Sequence, residues 1–114
     1  MLYEIKFLYS LFVTLFIEIP IVIVFIKRIY KYSEIDISKI IFVGFIASVL
    51  TLPYLWFIFP LYISNGNLFI VIGELLVIVA ESLIYNQLLG IKFSKSFLIS
   101  LIANVASALI GVLL

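Results

Sequence analysis

The sequence contains no cysteine and no histidine. The first absence excludes disulfides, thiolate catalysis, iron–sulfur ligation and cysteine-based zinc sites. The second removes the commonest metal ligand and the usual general base near neutral pH. Serine–histidine and cysteine–histidine chemistry and the HExxH intramembrane metalloproteases are excluded with it. Charge is scarce as well: 11% of residues are Asp, Glu, Lys or Arg, and the net charge is +1 with no basic tract. No electrostatic footprint for nucleic acid is present. No motif for a cofactor is found, and none is expected.

What fills the space is apolar. Hydrophobic residues make up 67% of the 114-residue chain, against roughly 45–50% in soluble domains. Mean hydropathy is +1.42. Four polar-poor runs, each of about 18–22 residues, are long enough to cross ~30 Å of hydrocarbon as helices. The spans predicted are 7–26, 40–59, 68–85 and 97–114. They form one all-α integral membrane domain covering 1–114, with no soluble domain left over. Ser38 and Ser94 are candidate N-caps, Asn65-Gly66 is a turn dipeptide, and Asn67 is placed to cap the third helix. The first run ends in Phe25-Ile26-Lys27-Arg28 without a small-x-small site, so it is expected to stay as a span.

Basic residues set the expected orientation. Lys27, Arg28, Lys31 and Lys39 fall in or beside the first loop, and Lys92 and Lys95 in the third, whereas the second loop has none. Counting positive charges puts loops 27–39 and 90–96 in the cytoplasm of a cell-membrane protein and both termini outside. Tyr3, Tyr9, Tyr30, Tyr32, Tyr62 and Tyr85 lie near span ends, where an aromatic belt belongs.

Compared with itself at an offset of 56 residues, the chain aligns without gaps. Ile35-Asp36-Ile37-Ser38-Lys39 lies over Ile91-Lys92-Phe93-Ser94-Lys95, and Ile46-Ala47-Ser48-Val49-Leu50-Thr51 over Ile102-Ala103-Asn104-Val105-Ala106-Ser107. Glu18 falls on Glu74. Apolar matches come freely in such a composition, so the polar and small matches carry the comparison. It predicts two tandem α-hairpin repeats, about 1–58 and 59–114. A two-span unit starts and ends on one side of the bilayer, so the copies are expected to be related by a pseudo-two-fold axis along the membrane normal.

Glu18, Glu74 and Glu81 are acidic residues inside the spans, and no Lys or Arg lies there to pair with them. Glu18 is nine residues from Lys27, Ser48 nine from Lys39 and Asn104 nine from Lys95, each about 13 Å along a helix. Through the repeat Glu74 takes the depth of Glu18. Four polar side chains thus share a layer near the bilayer centre, where an acidic side chain costs about 2.5–3.5 kcal/mol and usually marks a pathway or site. Glu81 lies two helical turns, ~10 Å, beyond Glu74 toward the cytoplasm, with Asn86 and Gln87 following. The expected ion- or substrate-binding set is therefore Glu18, Ser48, Glu74, Glu81 and Asn104. Carboxylates without a fixed counter-charge take a proton or a hard cation, with help from backbone carbonyls near Pro53. The structural alternative is that such groups bond between helices and hold the bundle together.

Small residues read as packing. Gly44 and Ser48 are four apart, as are Ala103, Ser107 and Gly111, a spacing that lets helix backbones approach closely. Trp56 is expected as an interfacial anchor, and Lys27, Arg28 and Lys31 as orientation signals.

The string Glu18-Ile19-Pro20, Thr51-Leu52-Pro53-Tyr54-Leu55-Trp56, Glu74 with Glu81, and Ala103-Asn104-Val105-Ala106-Ser107 resembles small four-span prokaryotic membrane proteins. That resemblance covers most of the chain and brings no activity with it. Small multidrug transporters are similar in length, span number and a Glu in the first span. Their likeness ends at Glu18, because their surrounding motifs are missing here, as are the polar signatures of small fluoride channels. Three functions are open on the sequence. The first is transport or conduction of a proton, a small cation or a cationic substrate, by a homo-oligomer in the lipid bilayer. The second is assembly with a partner membrane protein whose basic groups meet these acids. The third is an intramembrane enzyme using two carboxylates as acid and base, which lacks a nucleophile, metal set or phosphate-binding motif.

Overall fold

A computed structural model describes residues 2–58 and 66–113; side chains are not described at 66, 67, 69, 70 and 111–113. The described chain is all helical. Helix α1 is Tyr3–Val24, continued by a π-helical turn Phe25–Ile29. Helix α2 is Ile37–Pro53, continued by a second π-helical turn Tyr54–Ile58. Helix α3 is Gly66–Leu89 and α4 is Phe93–Leu113. All four are long and apolar enough to cross a membrane.

The helices outrun the predicted spans at most ends, because the spans end where hydropathy falls and the backbone ladder continues through the polar residues beyond. Ser38 and Ser94 do not cap. Asp36 occupies the position before α2 and makes no side-chain cap bond, and Ser94 is the second residue of α4. The Asn65-Gly66 turn and the proposed cap at Asn67 lie outside the residues or side chains described.

Left-handed residues shape the two described loops. Lys31 (φ 59°) lets the chain turn so that the Tyr32 amide returns to Ile26 O at 2.8 Å. Gly90 (φ 69°) ends α3, a conformation glycine adopts without steric cost. The Asn86 amide and the Ser96 hydroxyl both donate to Ile91 O, at 2.8 and 3.2 Å, pinning the short link into α4. Lys95 donates to the Tyr32 hydroxyl at 3.2 Å and lies 5.1 Å from the centroids of Tyr30 and Tyr32, tying the first loop to the third.

Each helix packs on two neighbours: α1 on α2 and α4, α3 on α2 and α4, closing a ring. The distribution of side chains is inverted relative to a water-soluble bundle. Phe12 and Phe16 are among the most exposed residues, while Thr14, Glu18, Ser48, Thr51, Glu81, Ser82, Ser100 and Asn104 are buried. Lipid accepts the exposed phenyl groups at no cost, so the polar groups must find partners inside.

Along its length the bundle has two unlike halves. Toward the end that carries the two described loops, Val22, Ile26, Ile40, Val43, Tyr85, Ile99 and their neighbours form one continuous core. Gly44 is part of this tight region, since a Cβ there would meet Ile19 Cγ1 at 3.0 Å. Ala103 is fully buried. The other half, toward residues 3 and 58, is hollow.

Candidate functional site

A cavity of about 200 Å³ occupies the hollow half. Ser10, Thr14 and Glu18 reach it from one face of α1, at the four-residue spacing that repeats along a helix side. From α2 come Ser48, Thr51 and Leu52, with Leu55 and Trp56 from the π-helical turn. Glu74, Val77 and Glu81 line it from α3, and Asn104, Ser107 and Ala108 from α4. All five expected binding residues are thereby brought to one space. Ser107, assigned from its spacing to a packing stripe, lines the same space; Gly111 has no described side-chain environment. None of the described lining residues is Lys or Arg.

The carboxylates are held differently. Glu81 is 1% exposed and both its oxygens are occupied. Asn104 Nδ2 donates to Oε1 at 2.8 Å, and the Thr51 hydroxyl reaches Oε2 at 2.9 Å. Its other N–H is shared between Ser100 O at 2.8 Å and the Ser100 hydroxyl at 3.2 Å. Ser100 in turn donates to Ile78 O at 2.8 Å, and Ser82 donates to the same carbonyl at 2.6 Å. The network joins α2, α3 and α4 through one acid. Thr51 carries a single hydroxyl proton yet faces two acceptors, since Ala47 O lies at 2.8 Å.

Glu18 is the counterexample. It is 2% exposed, and its Oε1 is buried with no hydrogen-bond partner. The Ser48 hydroxyl, also 2% exposed, is equally unpartnered. A buried polar atom left unsatisfied costs about 1–3 kcal/mol, so two of them beside one cavity are a concentrated cost in the fold. Glu18 and Glu81 lie within electrostatic range of each other, and Glu74 within range of both. Glu74 is only half-buried.

Spacing suggested an acidic path continuing from Glu81 toward Asn86 and Gln87. The structure closes that direction. Tyr85, one turn beyond Glu81, is 1% exposed in the core, and Asn86 and Gln87, in the last turn of α3, bond to Ile91 O and Asn86 Oδ1. At the opposite end the cavity reaches Ser10 and Trp56, both half-buried. An aromatic group stands there. The Tyr3 hydroxyl donates to Trp56 O at 2.6 Å, and the Tyr3 and Phe7 rings pack on Trp56 and Phe57 with centroids 5.0 to 5.9 Å apart. Trp56, expected only as an anchor, is therefore also part of the cavity wall.

Ser10, Thr14 and Thr51 were missed as lining residues. The available signal was the i, i+4 row Ser10-Thr14-Glu18 on one face of α1, and the position of Thr51 three residues after Ser48. Among the described residues no three acidic side chains lie close enough together to hold one metal ion. No family model matches this chain, and no curated protein or solved structure matches it.

Proposed function

We propose that this protein binds a proton, a small cation or a cationic substrate in the carboxylate cavity and carries it across the bilayer. The observation that supports this reading best is the combination of three acids and no basic residue among the described lining of one cavity, with Glu18 Oε1 and the Ser48 hydroxyl buried beside it and unpartnered. Glu81 alone does not make that case, because its bonds to Thr51 and Asn104 are what an interhelical staple needs.

The alternative, an assembly subunit whose acids pair with a partner's basic groups, fits the same lack of internal cations. It is less favoured by the direction of the side chains. Glu18 and Glu81 face the interior of the ring, so a partner's Lys or Arg has to enter the bundle to meet them. A homo-oligomer in the plasma membrane, with both termini outside and loops 27–39 and 90–96 cytoplasmic, belongs to this proposal as the expected setting.

The duplicated-hairpin reading belongs here too. Under the 56-residue offset, Glu18 pairs with Glu74, Ser48 with Asn104, Thr51 with Ser107 and Leu52 with Ala108, and all eight line the cavity. Buried positions Ile40, Val43, Ala47 and Ser48 of α2 pair with Ser96, Ile99, Ala103 and Asn104 of α4, also buried. The buried matches support two hairpins meeting across a central axis, and the acids depart from it, because Glu18 lies beside Glu81 rather than level with Glu74.

Proteoliposomes loaded with a pH-sensitive dye and given a potassium diffusion potential test the proposal. Wild type is expected to pass protons, or protons in exchange for an added cation, and Glu18→Gln to fall to the empty-liposome rate. Equal flux in wild type, Glu18→Gln and empty liposomes, across protons, alkali cations and organic cations, refutes transport through this cavity.

A further inference from the structure

We infer that the cavity's ligand is a linear aliphatic diamine, a dication whose two ammonium groups are separated by methylenes. This rests on the proposed function and narrows its substrate class. The acids are not grouped around a point. Glu18 and Glu81 form one acidic pole, while Glu74 sits seven residues before Glu81 on the same face of α3, a rise of ~10 Å. Because no three described acids converge on a single ion, a compact metal cation neutralises only part of this charge. A dication with separated charges meets both poles.

The walls between the poles suit a methylene chain. Val77 lies between Glu74 and Glu81 on α3, and Leu52 and Ala108 contribute further apolar surface. The two open polar atoms suit an ammonium group. On binding, Glu18 Oε1 accepts one N–H and the Ser48 hydroxyl oxygen another; both atoms are buried beside the cavity and otherwise unpartnered, while the Glu18 carboxyl also meets Ser107 and Glu81. A quaternary ammonium has no N–H to give them. Glu74, half-buried and nearer the aromatic end, is left for the second ammonium.

Trp56, the only tryptophan, lines the cavity and reports occupancy through its emission. The experiment titrates purified protein in detergent with putrescine, n-butylamine, tetramethylammonium and potassium chloride at constant ionic strength. Putrescine is expected to shift the emission saturably at a concentration at least about tenfold below n-butylamine, the value of one added charge-assisted contact. Glu74→Gln is expected to reduce putrescine to the level of n-butylamine, and Glu18→Gln to lose both.

Equal potency of putrescine and n-butylamine in wild type overturns the diamine inference and leaves a cation site standing. A stronger response to tetramethylammonium than to either amine overturns the N–H recognition. No response to any cation in wild type, or a response unchanged in the Glu18→Gln/Glu74→Gln double variant, overturns the inference together with the cation and cationic-substrate forms of the proposed function; the proton form stands or falls by the liposome flux. The wild-type comparison needs no variant to fold.

Discussion

Replacing Glu81 by glutamine, set beside changes at Thr51, Asn104 and Ser48, tests how the network across α2, α3 and α4 is satisfied. The Thr51 hydroxyl has one proton for two acceptors, Ala47 O at 2.8 Å and Glu81 Oε2 at 2.9 Å. A glutamine at 81 brings its own N–H to the Thr51 oxygen and leaves the hydroxyl proton for Ala47 O, while its carbonyl accepts from Asn104. With the second N–H directed at the neighbouring Glu18 carboxyl, the groups of the network are satisfied, so Glu81→Gln is expected to change stability by no more than about 0.5 kcal/mol, the ordinary range for a substitution that disturbs no packing. Thr51→Val keeps the shape and removes the hydroxyl; interhelical bonds in membranes average ~0.6 and reach about 1.7 kcal/mol, and the loss should fall there. Asn104→Leu removes the bonds to Ser100 as well as the one to the buried Glu81 Oε1 and is expected to cost more, about 1–3 kcal/mol. Ser48→Ala removes a hydroxyl with no partner and should cost nothing measurable. Unfolding in mixed micelles of increasing SDS fraction, followed by far-UV circular dichroism, gives the four values on one scale. If Glu81→Gln loses as much as Asn104→Leu, an amide does not replace the carboxylate and the described bonding is wrong.

Two further outcomes follow from packing. Gly44→Ala places a methyl 3.0 Å from Ile19 Cγ1 in the solid half of the bundle, and overpacking of this kind should cost about 1–2 kcal/mol in the same assay; an unchanged midpoint contradicts the close approach of α1 and α2. Tyr3→Phe removes the 2.6 Å bond to Trp56 O, so acrylamide should quench Trp56 more strongly than in wild type, and unchanged quenching means the hydroxyl does not hold the aromatic group closed.

The sequence made the four helices legible because hydrocarbon demands length and apolarity, and both are countable. It also picked out Glu18, Ser48, Glu74, Glu81 and Asn104, since polar residues at that depth stand out against so apolar a background. What spacing along one helix does not contain is the lateral contact. Glu81 measured from the span end looks like a step toward the loop, yet Thr51 and Asn104, from two other helices, hold it at the cavity wall. Ser107 reads as a small residue at a four-residue spacing, and only the rotation of α4 decides that it faces the cavity. Helix ends were misjudged for a related reason. Ser38 and Ser94 are good caps by type, but the loops fold back through Lys31, Gly90 and the Ile91 carbonyl instead.

The division of the bundle into a hollow half and a solid half has an electrical meaning. Under the proposed function, a cation that enters past Trp56 and stops at Glu18 crosses roughly half the length of the bundle, while Tyr85, Ile26 and Ile40 bar the remainder. Its binding therefore senses about half of any transmembrane potential. At ~2.3 kcal/mol per charge for 100 mV, that is about 1 kcal/mol for a monovalent ion, or a change in affinity of roughly sevenfold. Occupancy of such a site follows membrane voltage as well as concentration, and it does so with no voltage-sensing arginine anywhere in the wall.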